Sequence, residues 1–272
     1  MKITASDVNK LRKTTGAGIM DCKNALVEAQ GDFDKAVENL RKKGQKIAAN
    51  RAERESSEGV VIAKVNSEKT IGVIVSLNCE TDFVAKNEKY IHLADDIATL
   101  ALKYDDLNKL LEAEFSGMRL SEKLIEQTGV IGEKIEIANF KTLKAPFVGS
   151  YVHAGNKIST LAGLSSKFDQ AEEVAKNVAM QVAAMNPIAL NEDEVDATII
   201  EKEIEIAKEQ LRQEGKPEGM LDNIAKGKIK RFFKDNTLVN QVYIKDNKIS
   251  VGDYVKSVNK INITGFERVS LV

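Results

Sequence analysis

Cysteine and histidine are almost missing from this chain. Its 272 residues include only Cys22, Cys79, His92 and His153. Neither type has the spacing of a zinc site. The two cysteines stand far apart among apolar neighbours and read as small core residues of a reducing compartment, not as a disulfide. Net charge is missing too, with 40 Lys and Arg against 41 Asp and Glu. That balance gives no overall field to attract nucleic acid or an anionic membrane, so a nucleic-acid binder would need a local patch. The richest run, Arg41 to Arg54, holds Lys42, Lys43, Lys46 and Arg51 without an interleaved aromatic, and reads as a solvated basic connector. No window approaches the roughly 20 apolar residues of a membrane span. Met1 leads straight into an amphipathic pattern without a signal-peptide core, so the expected location is cytoplasmic.

Patterns of catalysis are equally scarce. No glycine loop is followed by Lys and Ser or Thr, and Gly16-Ala17-Gly18 lacks both the third glycine and the preceding strand of a dinucleotide fingerprint. It reads as a turn between helices. Carboxylates abound, but on charged helix faces, and neither histidine lies in a nucleophile motif. The residues imply no metal, no cofactor and no enzyme, and favour an interaction protein.

What is present is a mixed, α+β pattern long enough for about two domains. Residues 1 to 43 read as three short helices. Thr4-Ala5-Ser6-Asp7 opens the first, Thr15 to Gly18 ends it, Ile19 to Ala29 forms the second, and Gly31-Asp32 starts a third with Phe33, Ala36, Val37 and Leu40 inward. So small a core suits a docking module of limited stability. Gly59 to Val65 and Thr70 to Leu77 read as antiparallel strands, followed by a helix over Lys89 to Leu102. The order returns with Val148 to Ala154, Ile158 to Leu164 and a helix from Asp169 to Met185. Leu93, Ala94, Ile97 and Ala98 are matched by Val174, Ala175, Val178 and Ala179, which indicates an internal duplication.

Between the halves, Leu107 to Arg119 and Ser121 to Gln127 look helical and Ile135 to Phe140 alternates like a strand. Val195 to Leu211 and Met220 to Phe233, broken by Gly215-Lys216-Pro217, have the pattern of an inserted antiparallel coiled-coil hairpin at about 195–234. Val251 to Val258 and Ile261 to Leu271 give a last helix and strand. The expected division is 1–54, a three-helix module with its basic connector; 55–140, the first core half; and 141–272, the second half with the hairpin.

The most informative stretch is Asn78 to Asn87, where an acid and an aromatic, Asp82 and Phe83, stand between a strand and a helix. Spacing alone favours Phe83 folding back into the core while Asp82 caps the next helix. The competing reading is an exposed ring on a loop held by a rigid scaffold, suited to insertion into another molecule.

Leu11-Arg12-Lys13 followed by Thr15 to Lys23, Thr81-Asp82-Phe83-Val84-Ala85-Lys86, Gly149 to His153, and Thr264-Gly265-Phe266 resemble the bacterial elongation factor Ts family in order and spacing. The resemblance implies a ubiquitin-associated-like front module, a two-part core and a protruding coiled coil. It implies guanine-nucleotide exchange on the translation GTPase elongation factor Tu, in its GDP-bound and nucleotide-free states, with no direct contact to nucleic acid or membrane. By the same resemblance Thr81, Asp82, Phe83 and Val84 dislocate the partner's magnesium, and Leu11, Arg12, Met20, Lys23 and His153 serve docking, though Leu11, Arg12 and Met20 are not divided between surface and core. A further C-terminal helix is implied that has no counterpart after Phe266 and Val272. The alternative is a ubiquitin-associated-like adaptor without exchange activity, for which Asp82 and Phe83 would be dispensable.

Overall fold

The computed structural model describes residues 3–272. The chain opens with α1 (Ala5–Thr15), α2 (Ile19–Glu28) and α3 (Phe33–Arg51). Each start has a local cause. The Asp7 amide donates to the Thr4 hydroxyl while the Asp7 carboxylate accepts from the Thr4 amide, and Asp32 accepts the Lys35 amide at the head of α3. Gly16, at φ 72°, closes α1 in the left-handed conformation that glycine adopts without strain. Val8, Leu11, Cys22, Leu26 and Ala36 are buried between the three helices.

Helix α3 corrects the expected connector, because it continues without a break through Arg51. The reason is tertiary. Gly44 is buried and lies against Gly129 of α7 (Leu120–Ile131), so closely that a Cβ on Gly129 would clash with the Gly44 backbone. Two glycines let the helix backbones touch, and Lys42, Lys43 and Lys46 of the run are exposed while Arg51 is half-buried.

Two three-stranded antiparallel sheets form the core. β1 (Glu58–Val65), β2 (Ile71–Cys79) and β5 (Glu136–Lys144) lie in that order, and β6 (Phe147–Val152), β7 (Ile158–Leu164) and β10 (Ile263–Ser270) repeat it. Alternation along the strands sets the layers. Val60, Ile62, Val73, Val75 and Leu77 face α5 (Glu88–Ala101), where Tyr90, Ala94, Ile97 and Ala98 meet them. On the opposite faces Val61, Ala63 and Ile74 meet Val148, Leu161 and Val269 of the second sheet. Phe147, Ala162 and Leu164 then face α8 (Ala171–Met185). The order is helix, sheet, sheet, helix, as two similar halves back to back. Gly72 allows the close approach of the sheets, since a Cβ there would lie 2.8 Å from both Leu161 and Val148.

The linking segment departs from expectation. After a one-turn α4 (Asp82–Ala85) and α5, helix α6 stops at Leu111 (Leu107–Leu111), and β3 (Glu114–Phe115) pairs with β4 (Met118–Arg119). Ser116 and Gly117 both take positive φ, the geometry of a tight hairpin, which ends the helix expected to reach Arg119. Between α8 and β10 the chain leaves as α9 (Ala197–Gln213) and returns as α10 (Glu218–Asn236), with Ala207, Leu211, Leu221, Ala225 and Ile229 buried and Lys208–Asp222 and Arg212–Glu218 ion pairs across them. A short hairpin, β8 (Val242–Tyr243) and β9 (Asp246–Ser250), was not foreseen; α11 (Val251–Val258) was. Buried Gln181 of α8 donates to Gln241 and Val242 and accepts the Ile244 amide, fixing the base of this insertion to the core. None of the described helices is long and apolar enough to cross a membrane.

Candidate functional site

Between the end of β2 at Cys79 and the start of α5 at Glu88, the chain must turn from sheet to covering helix. It does so through α4, where the Ala85 amide donates to the Thr81 carbonyl and the Lys86 amide to that of Asp82. Ala85 is buried and Val84 packs on the first core, so these consecutive positions take the inward side of the turn. A helical turn that points 84 and 85 inward points 83 away. Phe83 is accordingly 83% exposed, which overturns its expected return to the core. Nor does Asp82 cap α5; Asn87 does, accepting the Lys89 amide, and Asp82 pairs with Lys86 at 2.6 Å.

The turn stands on a rigid base. The Glu133 carboxylate accepts the amides of Glu80 and Thr81, at 3.1 and 3.0 Å, and the Thr81 hydroxyl at 2.6 Å. The Glu80 carboxylate accepts the Lys134 amide at 2.6 Å and the Arg51 guanidinium at 2.7 Å. Below them the Tyr90 hydroxyl donates to the Leu77 carbonyl and the Cys79 thiol to the Thr81 carbonyl.

Electrostatics match this geometry. The hydrogen bond from Lys86 holds the Asp82 carboxyl below its usual range. Burial works against ionisation of Glu80, but the Lys134 amide and Arg51 outweigh it and its pKa is lowered as well. Burial pushes the Cys79 thiol and the Tyr90 phenol upward, so both stay protonated at neutral pH. The turn thus presents an ionised acid and an apolar ring without an activated nucleophile beside them.

The docking candidates divide. Leu11 is fully buried and shapes the module from within, whereas Arg12, Met20 and Lys23 are exposed. Ile19 and Lys23 line a groove with Ile3, Thr4, Ala5, Val8 and Asn9, and Ile19 and Met20 are 53% and 62% exposed. This surface belongs to α1 and α2, while the last residue of α3, Arg51, reaches Glu80 at the base of the turn. His153 is exposed beyond β6 and hydrogen-bonded to the Tyr151 hydroxyl at 3.0 Å. Its hairpin is tied to the end of β1 that faces Cys79, through the Lys157–Glu58 pair and the Val61 amide on Asn156. His153 and Phe83 therefore share one end of the core.

Arg51 and Glu133 escaped the sequence reading. Arg51 looked like one cation of a basic run, and Glu133 lies 52 positions from Thr81 in a stretch without a motif. The only local hint at Glu133 is the preceding Gly132, which ends α7 in the left-handed conformation and aims the next side chain.

Comparison with known proteins agrees with the geometry. The family model described as Elongation factor TS matches residues 80–271. The chain is 66% identical over 271 residues to elongation factor Ts of Christiangramia forsetii, covering 99% of each chain. It is 63% identical to that of Flavobacterium psychrophilum, over 99% of this chain and 98% of the other, and 41% identical to that of Porphyromonas gingivalis, over 100% and 99%. A chain with this outward turn, and with likeness over its whole length, belongs to the elongation factor Ts family of translation elongation factors.

Proposed function

We propose that the chain is a guanine-nucleotide exchange factor for elongation factor Tu that promotes GDP release by disturbing the GTPase's magnesium and phosphate site. The observation that carries this reading is Phe83, exposed on a turn whose backbone is held by charge-assisted hydrogen bonds. A free ring on a fixed base is ready to be buried in a partner, and little conformational freedom remains to be lost when it is. Asp82 enters beside it as a charged group after leaving Lys86, Thr81 ties the turn to the core, and Val84 holds it from beneath.

No bond needs to be broken. Exchange follows if the chain binds the nucleotide-free GTPase better than the loaded one, because each ligand then weakens the other by the same factor. Burying one Phe side chain is worth roughly 1.5–3 kcal/mol, which is one to two decades of coupling if the contact forms only in the nucleotide-free complex. Displacing a magnesium ion that bridges the phosphates removes a further electrostatic anchor. In this reading α1 to α3 are a ubiquitin-associated-like docking module that grips through Arg12, Met20 and Lys23, His153 touches the partner beside the turn, and α9 with α10 is a coiled-coil arm.

The test is release of a fluorescent GDP analogue from elongation factor Tu across a magnesium series. The expected outcome is strong acceleration by the native chain, shrinking as magnesium rises. No acceleration at any magnesium concentration overturns the reading; a chain that then still binds through the α1–α2 surface is an adaptor.

A further inference from the structure

Two carboxylates cross beneath the turn. Glu133 satisfies the backbone of the 80–81 segment, and Glu80 in return satisfies the backbone of Lys134. Each loop's side chain closes the other loop's amides, forming a reciprocal clasp of charge-assisted bonds. The position of α4 depends on it, because Thr81 supplies the carbonyl that accepts the first amide bond of that helical turn. Moving Thr81 away from Glu133 would break its amide and hydroxyl bonds together.

The clasp is also attached to the front module by two routes. Arg51, the last residue of α3, donates to both oxygens of Glu80. The same helix rests through Gly44 on Gly129 of α7, which ends at Gly132 immediately before Glu133. Both acids are thereby placed by where α3 sits on the core.

We propose that Glu133 and Arg51 are positioning residues for Phe83: Glu133 holds the turn with its ring outward, and Arg51 makes that pose depend on the seating of the front module. A partner that grips α1 and α2 then acts through α3 on the turn, which joins docking and exchange in one linked element. This inference rests on the exchange reading above.

The experiment compares Glu133→Ala, Glu133→Gln, Arg51→Ala and Arg51→Lys, with Phe83→Ala as reference. Three quantities are read: amide hydrogen exchange in the free chain, GDP-analogue release from elongation factor Tu at saturation, and affinity for the GTPase. Glu133→Ala is expected to speed exchange at the Glu80 and Thr81 amides about tenfold or more, and to slow release about tenfold with affinity changed less than about threefold. Glu133→Gln keeps an oxygen for the amides and a donor for the Thr81 hydroxyl, and should restore most of both. Arg51→Ala should speed exchange at the Lys134 amide and slow release about threefold, and Arg51→Lys should recover part of it. Unchanged exchange at residues 80 and 81 in Glu133→Ala, or release lost only in proportion to affinity, overturns the inference. No acceleration by the native chain overturns the exchange reading instead, whereas release by Phe83→Ala as fast as by an active native chain overturns the inference, since positioning the ring would then not matter to exchange.

Discussion

The two halves of the core pass from strand to covering helix at the same place, and each puts a phenylalanine in the connection, one ring exposed and the other packed on the core. Phe83, between β2 and α5, is exposed; Phe168, between β7 and α8, packs on the second core. Both turns are pinned from the segment that enters the third strand of their sheet. In the first half Glu133 and Lys134 precede β5; in the second Asn262 precedes β10, its carbonyl accepting the Ser165 amide and its own amide donating to the Ser165 hydroxyl. The second pin is neutral, and among the described residues no hydrogen bond or ion pair links Ser165 or Asn262 to α1, α2 or α3. A scaffold that can bury an aromatic at this place therefore does not require an exposed one. What turns Phe83 outward is the extra turn of helix, with Val84 and Ala85 inward, and the charged clasp at its base.

The largest expected effect separates the two rings. Phe83→Ala should slow GDP-analogue release about tenfold or more while leaving the urea midpoint of the free chain where it was. Phe168→Ala should do the reverse, lowering stability by about 1–2 kcal/mol for a half-buried ring and leaving release near native. If both variants lose stability alike, the contrast is broken.

The next effect tests the attachment found only in the first half. Gly129→Ala puts a methyl group into the Gly44 backbone and should destabilise the seating of α3 by about 1–3 kcal/mol. Amide exchange should rise along α3 and stay unchanged in β7 and α8; uniform loosening would mean that the module is not a separately seated unit.

A smaller effect appears on acidification. Glu80 has a lowered pKa in the folded chain, so its contribution is fully present above the ordinary carboxylate value of 4.5 and is lost as pH falls through the lower folded value. The Lys134 amide should therefore lose protection below about pH 4.5, before the amides of the second half do. The smallest effect belongs to Lys86→Met. Its ion pair with Asp82 lies at the surface, so the unfolding midpoint should not move, and any change should appear only in release.

Much of this fold is legible from residue patterns, because its causes are local. Thr4 and Asp7, Asp32, and the alternation through Ile71 to Leu77 act within a few residues of the elements they define. The duplicated spacing on α5 and α8 likewise announces the paired halves. One departure has a distant cause, since α3 runs past Leu40 where Gly129 receives Gly44; the other is local, since α6 stops at Leu111 ahead of the tight hairpin at Ser116 and Gly117, whose turn signal the helical spacing masks. At the site, spacing singled out Asp82 and Phe83 but favoured the arrangement that Phe168 adopts. Direction was hidden because it depends on which neighbours win the inward side and on an acid more than fifty positions away.

The proposed exchange activity requires the outward ring to drive release while contributing less to holding the complex. Stopped-flow release of the GDP analogue at fixed magnesium, with native or Phe83→Ala chain at saturation and affinity for nucleotide-free elongation factor Tu measured alongside, tests it directly. The expected result is a fall in rate of at least about tenfold with a clearly smaller fall in affinity. Equal losses in both, or no loss in either, would contradict it.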